Sequence, residues 1–363
     1  MENSVTNAKK PNFFSKFSKL FKRKERVSAD AGERNNWKAW LYLAPVIILL
    51  AVFTFYPLIN TIVIAFLKNY DYTTQASDGF TFDNFLTVLT LAGKDGATNL
   101  VYRWNCFNGT DGLPYYINEA GQTVRVYFQT DVLTYALPNT MLITFVTVPV
   151  SIIIALLISV CLNSIKAFKK IFQTIFFVPY VTNAIAVGMV FAVLFDSQGI
   201  LNFIFGLGNH KWIDGGATWG SGMLALCIYI VWHALPYKIL IFLSALQNID
   251  KQYYDAAKID CAGKWKTFWH VTVPMLSPQI LYIMITSFIG SFKEYTSVVG
   301  LFGSPSTDGG STKNMYTIVY YIYECLSAPT TVSRGAAAAV LLFIIIMIFT
   351  AIQFQVSKRR VHY

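Results

Sequence analysis

Residues 253–278 read YYDAAKIDCAGKWKTFWHVTVPMLSP, a mostly polar segment that separates two long apolar stretches of the chain. Its first half is rich in small side chains, at Ala256, Ala257, Cys261, Ala262 and Gly263. A short helix with small side chains can approach the backbone of another protein closely. Asp255 would lie at the start of that helix, where a carboxylate stabilises the positive end of the helix dipole. The segment therefore predicts a compact helix that contacts a partner, or alternatively an ordinary surface loop between two helices.

The composition indicates that a lipid bilayer surrounds most of this chain. Hydrophobic residues make up 55% of the 363 residues and charged residues only 13%, with a mean hydropathy of +0.47, values that water-soluble proteins rarely show. A bilayer span takes about 20 mostly apolar residues, and such stretches occur at 41–67, 135–162, 171–195, 222–247, 276–296 and 336–356. We therefore predict an all-α polytopic membrane protein with about six transmembrane helices. Prolines such as Pro179 indicate tilted or broken helices, although a single kink need not have a function.

The distribution of basic residues predicts the orientation of the spans. Residues 1–40 contain ten Lys or Arg, and further basic residues follow the second span, lie in the 248–275 loop and occupy the end of the chain, at Lys358, Arg359 and Arg360. Residues 68–133 contain four basic and seven acidic residues. The positive-inside rule then places both termini and the 248–275 loop in the cytoplasm. Anionic lipid headgroups account for the net charge of +10, so we predict a membrane surface as partner and no nucleic acid.

These features divide the chain into four parts. A basic N-terminal segment, 1–40, contains Phe13, Phe14, Phe17, Leu20 and Phe21 at helical spacing, which predicts an amphipathic interfacial helix or, alternatively, a disordered basic tail. The first span, 41–67, is followed by an extracytoplasmic insert, 68–133, that could form a small subdomain or be a variable loop. A core of spans two to six, 134–360, contains the 248–275 loop.

The spacing within residues 253–278 resembles the cytoplasmic signature loop of ABC importer permeases. That loop reads Glu-Ala-Ala, three residues, Gly, nine residues, then Ile-x-Leu-Pro, and the same positions here hold Asp255, Ala256, Ala257, Cys261, Val271, Val273 and Pro274. Asp, Cys and Val thus replace some of the usual residues, but Tyr254, Asp260, Ala262 and Gly263 match the carbohydrate-importer form. The resemblance implies a coupling helix that meets the ATPase through Asp255, Ala256, Ala257, Asp260, Cys261, Ala262 and Gly263.

The same resemblance implies the fold and the partners. It implies half of a type I ABC importer with the MetI-like permease fold, in the cytoplasmic membrane of a bacterium. The implied partners are a second permease subunit, an ABC ATPase dimer and an extracytoplasmic sugar-binding protein. ATP and Mg²⁺ would bind to the ATPases, and no cofactor to this chain.

Polar residues inside the predicted spans are candidates for a transport pathway, because an unpartnered polar group in hydrocarbon is costly. In 222–247, Trp232 and Tyr237 flank Pro236, in a stretch similar to the maltose-type permeases. Ser287 and Ser291 are four residues apart and share a helix face, in a stretch that in those permeases contributes to the sugar site. The expected substrate contacts are Tyr237, Ser287, Ser291, Trp232 and Asn183, although the two serines would also suit close helix packing.

Two charged groups near these residues have other interpretations. Lys238 is expected to extend toward the inner lipid headgroups rather than into the pathway. Lys293 and Glu294, near the outer end of the fifth span, could form a local ion pair or part of an external gate.

The chain shows no pattern typical of an enzyme or a metal site. It lacks the Gly-x-x-x-x-Gly-Lys-Ser/Thr loop that binds ATP phosphates, so the energy must come from another subunit. The four histidines and five cysteines have no metal-ligand spacing, and Cys106 and Cys325 could pair outside the cell or simply be small apolar residues.

We therefore expect a permease subunit of an ATP-driven importer of an oligosaccharide or multiple sugars. A permease for glycerol phosphate or another polar solute is the alternative within this class. An ion-coupled secondary transporter would need intramembrane carboxylates, which the spans almost lack, and a polytopic membrane enzyme would need clustered catalytic side chains.

Overall fold

The computed structural model of this protein describes residues 37–89, 107–108, 114–117, 123–125, 132–165, 169–213, 217–303, 315–327 and 329–360. The predicted amphipathic helix of residues 1–36 lies outside this part, as do Cys106 and most of the insert. The chain divides into two compact units, Met1–Pro57 and Leu58–Tyr363.

The described chain is mainly helical. Its helices, numbered in chain order, are α1 (Trp37–Leu50), α2 (Tyr56–Ala65), α3 (Asp83–Leu89), α4 (Leu137–Ser164), α5 (Lys169–Val181), α6 (Ala184–Leu194), α7 (Ile200–Phe205), α8 (Trp219–Gln247), α9 (Lys251–Ile259), α10 (Lys264–Thr267), α11 (Val273–Met275), α12 (Ser277–Phe292), α13 (Thr296–Phe302), α14 (Ile318–Cys325) and α15 (Val332–Arg360). Wider π turns connect or extend several of them, at Ala51–Phe55, Val132–Ala136 and Phe268–Thr272, and a 3-10 turn, Pro329–Thr331, precedes α15.

Helices cover most of each of the six predicted spans. Four helical stretches in the described residues are long and apolar enough to cross a membrane by themselves: Trp40–Ala65, Leu137–Ser164, Trp219–Gln247 and Val332–Ser357. The fifth predicted span is α12, which is bent by 65° from the preceding helical stretch Lys264–Met275. The third is not one helix but two, α5 and α6, because the chain breaks at Thr182 and Asn183 and the Asn183 side chain caps the new helix.

The first span has a mostly apolar and exposed surface. No part of its apolar window is buried within the chain, and Trp40, Tyr42 and Phe53 are more than two-thirds exposed. Such a surface needs an apolar environment, which the hydrocarbon layer of a bilayer provides.

The second unit has its core between α4 and α8. Val148, Ile152 and Ala155 of α4 pack against Ile239 and Phe242 of α8 in one buried cluster. Ser159 of α4 donates a hydrogen bond to the backbone oxygen of Ile239, at 3.2 Å, while also bonding to Ala155 in its own helix. Small and hydroxylated residues at such contacts let helix backbones lie close together in a membrane protein.

Side-chain hydrogen bonds hold together the end of the core at which α4 begins. Asn139 of α4 donates to the backbone oxygen of Tyr316 at 3.0 Å, and the hydroxyl of Thr140 accepts from the backbone N–H of Ile318 at 3.1 Å. Thr317 caps α14 and donates to the backbone oxygen of Glu294 at 2.8 Å. These bonds fix α14 and the segment after α12 to the start of α4.

All the β-strands among the described residues lie in the insert, 68–133. Three short strands, β1 (Phe107–Asn108), β2 (Pro114–Ile117) and β3 (Thr123–Arg125), form an antiparallel sheet in the order β1-β2-β3. This small sheet, within an otherwise helical chain, differs from the all-α fold predicted from the sequence. At the start of the insert, Asn84 of α3 donates to the backbone oxygens of Ala65 and Leu67, so α3 lies against the end of α2.

Cys325 is a buried free thiol at the end of α14. Its suggested partner Cys106 lies outside the described residues. Gly335 of α15 faces Cys325, and a β-carbon at this glycine would lie 2.8 Å from the Cys325 β-carbon. The cysteine therefore acts as a small apolar residue at a close helix contact.

Two glycines allow α6 and α13 to touch. A β-carbon at Gly188 would lie 2.6 Å from the carbonyl carbon of Gly300, and a β-carbon at Gly300 would lie 3.2 Å from the α-carbon of Gly188. Since these neighbours are backbone atoms, the helices would have to separate to admit a side chain.

We predict that Gly188→Ala destabilises the protein by about 1–3 kcal/mol, because overpacking at a backbone contact forces the helices apart. Thermal unfolding in detergent, followed by tryptophan fluorescence, measures the effect. Gly220→Ala is the matched control, since a β-carbon at Gly220 has open space around it. Equal melting temperatures for the two variants would contradict the packing described for α6 and α13.

Candidate functional site

A polar cavity lies halfway along the longest helices of the core. It has a volume of about 340 Å³ and is lined by α4, α8, α12, the segment that follows α12, and Tyr180 of α5. Ser151 lies at the middle of α4, and His233 lies at the middle of α8. In a bilayer, these positions correspond to the centre of the hydrocarbon layer.

The lining combines hydroxyl groups, aromatic rings and charged groups. Its polar members are Thr147, Ser151, Tyr180, His233, Tyr237, Lys238, Thr286, Ser287, Ser291, Glu294, Thr296 and Ser297. Such a set can donate and accept many hydrogen bonds while offering flat apolar surfaces, as sites for small polar ligands do.

Lys238 points into this cavity rather than toward a membrane surface. Its side chain is only 4% exposed, and its Nζ donates a hydrogen bond to the Oγ of Ser151 across the α4–α8 contact. The expected extension toward the inner headgroups is therefore wrong. Sequence alone could not decide this, because the direction of a lysine stem depends on which neighbouring helix provides a partner.

Two buried polar atoms in the lining have no hydrogen-bond partner among the described residues. They are Nε2 of His233 and Oγ of Ser291. Most buried polar atoms in proteins are satisfied by protein groups or water. Both residues of the lining therefore have hydrogen-bonding capacity that the described residues do not use.

Tyr237 connects the cavity with a second one. Its hydroxyl lies 3.3 Å from that of Tyr282, and its ring stacks on Tyr180 with 5.6 Å between centroids. The two stacked tyrosines also line a cavity of about 460 Å³ that extends along α8 to Asn248, at the end of the helix. The tyrosine pair thus lies where the central cavity meets a path toward α9.

The structure brings together three of the five predicted substrate contacts. Tyr237, Ser287 and Ser291 all line the central cavity. Trp232 and Asn183 do not: Trp232 packs against Phe191 with 5.0 Å between ring centroids, and the Asn183 side chain accepts hydrogen bonds from the backbone of Ile185 and Ala186. Sequence reasoning missed Ser151 and Thr147, because no local pattern shows which helix faces meet.

The predicted coupling segment is a short helix with a defined start and end. Because α9 begins at Lys251, Asp255 lies in its middle and not at its start as predicted; instead the Asp250 side chain, at the N-cap, accepts a hydrogen bond from the backbone of Gln252. At the other end, Ala262 N–H bonds to the Ala257 oxygen and Cys261 N–H to the Lys258 oxygen, which is the Schellman pattern. The helix is therefore closed at both ends by its own residues.

Six of the seven predicted coupling residues are accessible on this surface. Asp255, Ala256, Asp260, Cys261 and Gly263 are exposed and Ala262 is half-buried, whereas Ala257 is buried within the chain. Asp255 accepts a hydrogen bond from Lys258 at 2.8 Å, which lowers the pKa of this exposed carboxyl. Ile259 and Trp265 beside them are 82% and 70% exposed. An exposed apolar surface next to charged groups is typical of a protein interface.

The family of the chain follows from its core. The family described as binding-protein-dependent transport system inner membrane component matches residues 139–363, well over half of the chain. The chain belongs to this family. It is thus a multi-pass inner membrane component of a transport system. Family membership also disfavours an ion-coupled secondary transporter.

Relatives of this inner membrane component align over most of their own length. A lactose transport system permease protein, LacF of Rhizobium radiobacter, is 28% identical over 88% of this chain and 94% of LacF. An arabinooligosaccharides transport system permease protein, AraP of Bacillus subtilis, is 33% identical over 61% of this chain and 71% of AraP. A chain of a bacterial ABC transporter that imports the acidic polysaccharide alginate has the same fold, with a TM-score of 0.67, 16% identity and coverage of 90% and 96%.

Cys261 occupies the position at which the signature loop usually has glycine. The backbone conformation of Cys261 shows why glycine is favoured there. Its φ is +49°, in the left-handed region that costs a residue with a β-carbon about 1–2 kcal/mol. This residue is the C′ position of the Schellman pattern, where glycine is favoured.

Cys261→Gly is expected to stabilise the end of α9 by about 1 kcal/mol, since glycine adopts a left-handed conformation without strain. Hydrogen exchange of peptides from 251–263 should slow in this variant and accelerate in Cys261→Val, whose branched side chain disfavours that conformation further. If exchange were the same in both variants, the strain at Cys261 would be excluded.

Proposed function

We propose that this chain is the transmembrane permease subunit of an ATP-driven importer, which translocates an oligosaccharide or multiple sugars delivered by an external binding protein. The observation on which the proposal depends is the central cavity, in which Tyr237, Ser287 and Ser291 lie together halfway through the spans. Aromatic rings stack on the apolar faces of sugars, and hydroxyl groups bond to sugar hydroxyls. The names of LacF and AraP support a sugar as the transported solute.

A polar phosphate ester is the second candidate. The sn-glycerol-3-phosphate permease protein UgpA of Yersinia pestis is 26% identical over 65% of this chain and 79% of UgpA. Among the described residues that line the cavity, Lys238 is the single lysine or arginine. A doubly charged phosphate usually binds to several cations or to arginine forks. The cavity therefore favours a sugar over a phosphate ester.

The proposed complex contains a second permease subunit, an ABC ATPase dimer and an extracytoplasmic sugar-binding protein. A solved alginate transporter of the same fold is in complex with a periplasmic protein that holds an alginate pentasaccharide. ATP and Mg²⁺ bind to the ATPases in this proposal, and no cofactor binds to this chain. The basic residues place both termini and α9 on the cytoplasmic side of a bacterial cell membrane.

The coupling helix transmits the work of the ATPases in this proposal. Closure of the ATPase dimer displaces α9, whose Tyr254 hydroxyl lies 3.4 Å from the hydroxyl of Thr272 in the stretch that leads into α12. Since α12 carries Ser287 and Ser291, a movement of α9 reaches the cavity through one connected segment. The pathway then alternates between an outward opening, which receives sugar, and an inward opening past Tyr180 and Tyr237.

The sugar site is tested with Ser291→Ala and Ser287→Ala in the assembled transporter. Loss of one neutral hydrogen bond should weaken sugar binding to the permease about threefold to tenfold. Trp232→Phe should leave binding unchanged, because this ring packs on Phe191 outside the cavity. Titration of the purified complex in nanodiscs with lactose, raffinose and maltotriose provides the measurement, and a loss only in Trp232→Phe would place the site elsewhere.

The coupling helix is tested with two neighbouring alanines. Ala256→Arg, on the exposed surface of α9, should leave the amount of folded permease unchanged but abolish sugar-stimulated ATP hydrolysis. Ala257→Arg should instead lower the amount of folded protein, since Ala257 is only 8% exposed and a buried charge needs a partner. Membrane levels by immunoblot and ATPase activity of the reconstituted complex separate these outcomes. Normal stimulated hydrolysis in Ala256→Arg would contradict the assignment of α9.

A further inference from the structure

The central cavity contains one buried cation and one carboxylate that do not pair with each other. Lys238 and Glu294 both line it, yet the side-chain ion pair found among the described residues is Lys258 with Asp255. An ionisable group at the centre of a membrane protein is costly and usually has a function. The two charges therefore need a common explanation.

Lys238 has hydrogen-bonding capacity left for a ligand. An ammonium group donates three hydrogen bonds, and the partner that the structure gives it is the hydroxyl of Ser151. A neutral hydroxyl compensates the charge only partly, whereas further oxygen acceptors would complete its coordination. Because the side chain is 4% exposed, those acceptors must come from within the cavity.

Glu294 has the complementary capacity. One carboxylate oxygen accepts a hydrogen bond from the backbone N–H of Ser297 at 3.0 Å, and the backbone oxygen of Glu294 is held by Thr317. The side chain is thus positioned by α13 and α14, and its second oxygen can accept further hydrogen bonds. Lys293 next to it is exposed and does not line the cavity, so the suggested local pair with Glu294 is not formed.

Unsatisfied polar atoms complete the site. Oγ of Ser291, a residue that is 8% exposed, and Nε2 of His233 have no partner among the described residues. Ser291 lies less than one helical turn before Glu294 in the chain, and His233 lies five residues before Lys238. The cavity therefore offers a charged donor, a charged acceptor and two neutral groups.

We propose that Lys238 and Glu294 select an uncharged sugar, which bridges them by accepting hydrogen bonds from the ammonium and donating them to the carboxylate. Every sugar hydroxyl can both donate and accept, so one neutral molecule satisfies both charges. One positive and one negative group line the cavity, so an added carboxylate on the sugar would give the occupied cavity an excess negative charge. The inference rests on the proposed function and adds to it the substrate class: neutral sugars rather than uronates or sugar phosphates.

If Lys238 and Glu294 select neutral sugars, two charge-neutralising substitutions should have opposite effects on the preference for neutral over acidic sugars. Lys238→Met leaves the cavity with the carboxylate alone, and Glu294→Gln leaves it with the ammonium alone. Each should weaken the binding of a neutral sugar at least about tenfold, because hydrogen bonds to charged groups contribute more than neutral ones. Glu294→Gln should in addition improve the binding of an acidic sugar relative to wild type, since like-charge repulsion is removed and Lys238 remains.

The experiment measures sugar binding to the assembled transporter in nanodiscs without its external binding protein, so that only the permease selects. The neutral probes are lactose, raffinose and maltotriose. The acidic probe is the one of these sugars that binds most tightly, with one C6 hydroxymethyl group oxidised to a carboxylate. Lys293→Met is the matched control, because it removes the same charge from an exposed position outside the cavity. Size-exclusion profiles verify that each variant complex assembles.

Wild type and Lys293→Met should both bind the neutral probe more tightly than the acidic probe. This preference for the neutral probe should increase in Lys238→Met. In Glu294→Gln it should fall by about tenfold or more. Parallel losses for both probes in Lys238→Met and Glu294→Gln would overturn the proposal, as would a wild-type preference for the acidic probe. Binding of none of the sugars by wild type would instead contradict the proposed sugar importer itself.

Discussion

Polar groups inside a bilayer must find partners within the protein, because the hydrocarbon layer offers none. Helices α4 and α8 meet this constraint together. Ser159 bonds to the backbone of Ile239, and Lys238 bonds to Ser151, so two polar contacts join the helices along their apolar interface. The central cavity lies beside this contact, and its polar lining depends on the register in which the two helices pack.

The same constraint explains the hydrogen bonds at the end of the core where α4 begins. Asn139, Thr140 and Thr317 use their side chains to bond to backbone groups of α14 and of the segment after α12. This segment cannot satisfy all its backbone groups as one continuous helix, so neighbouring side chains satisfy them. As a result Glu294 is held at the cavity by buried bonds instead of lying on a mobile loop.

Family membership and the cavity provide different kinds of information. The family match covers the core helices and α9, and it assigns the chain to a transport system without naming the solute. Relatives named for lactose, for arabinooligosaccharides and for sn-glycerol-3-phosphate all align with this core. In the proposed function, the solute depends on the side chains that line the cavity of about 340 Å³.

The sequence by itself predicted the mainly helical membrane fold and the approximate positions of the apolar helices, because hydrophobic runs are a local property. By resemblance it also pointed to Tyr237, Ser287 and Ser291, which line the central cavity. Only the tertiary structure decided that Lys238 faces the cavity, that Ala257 is buried and that Trp232 and Asn183 lie elsewhere. The reason is physical: an almost uniformly apolar helix shows no polar face in its sequence, so the direction of each side chain is set by the neighbouring helices against which it packs.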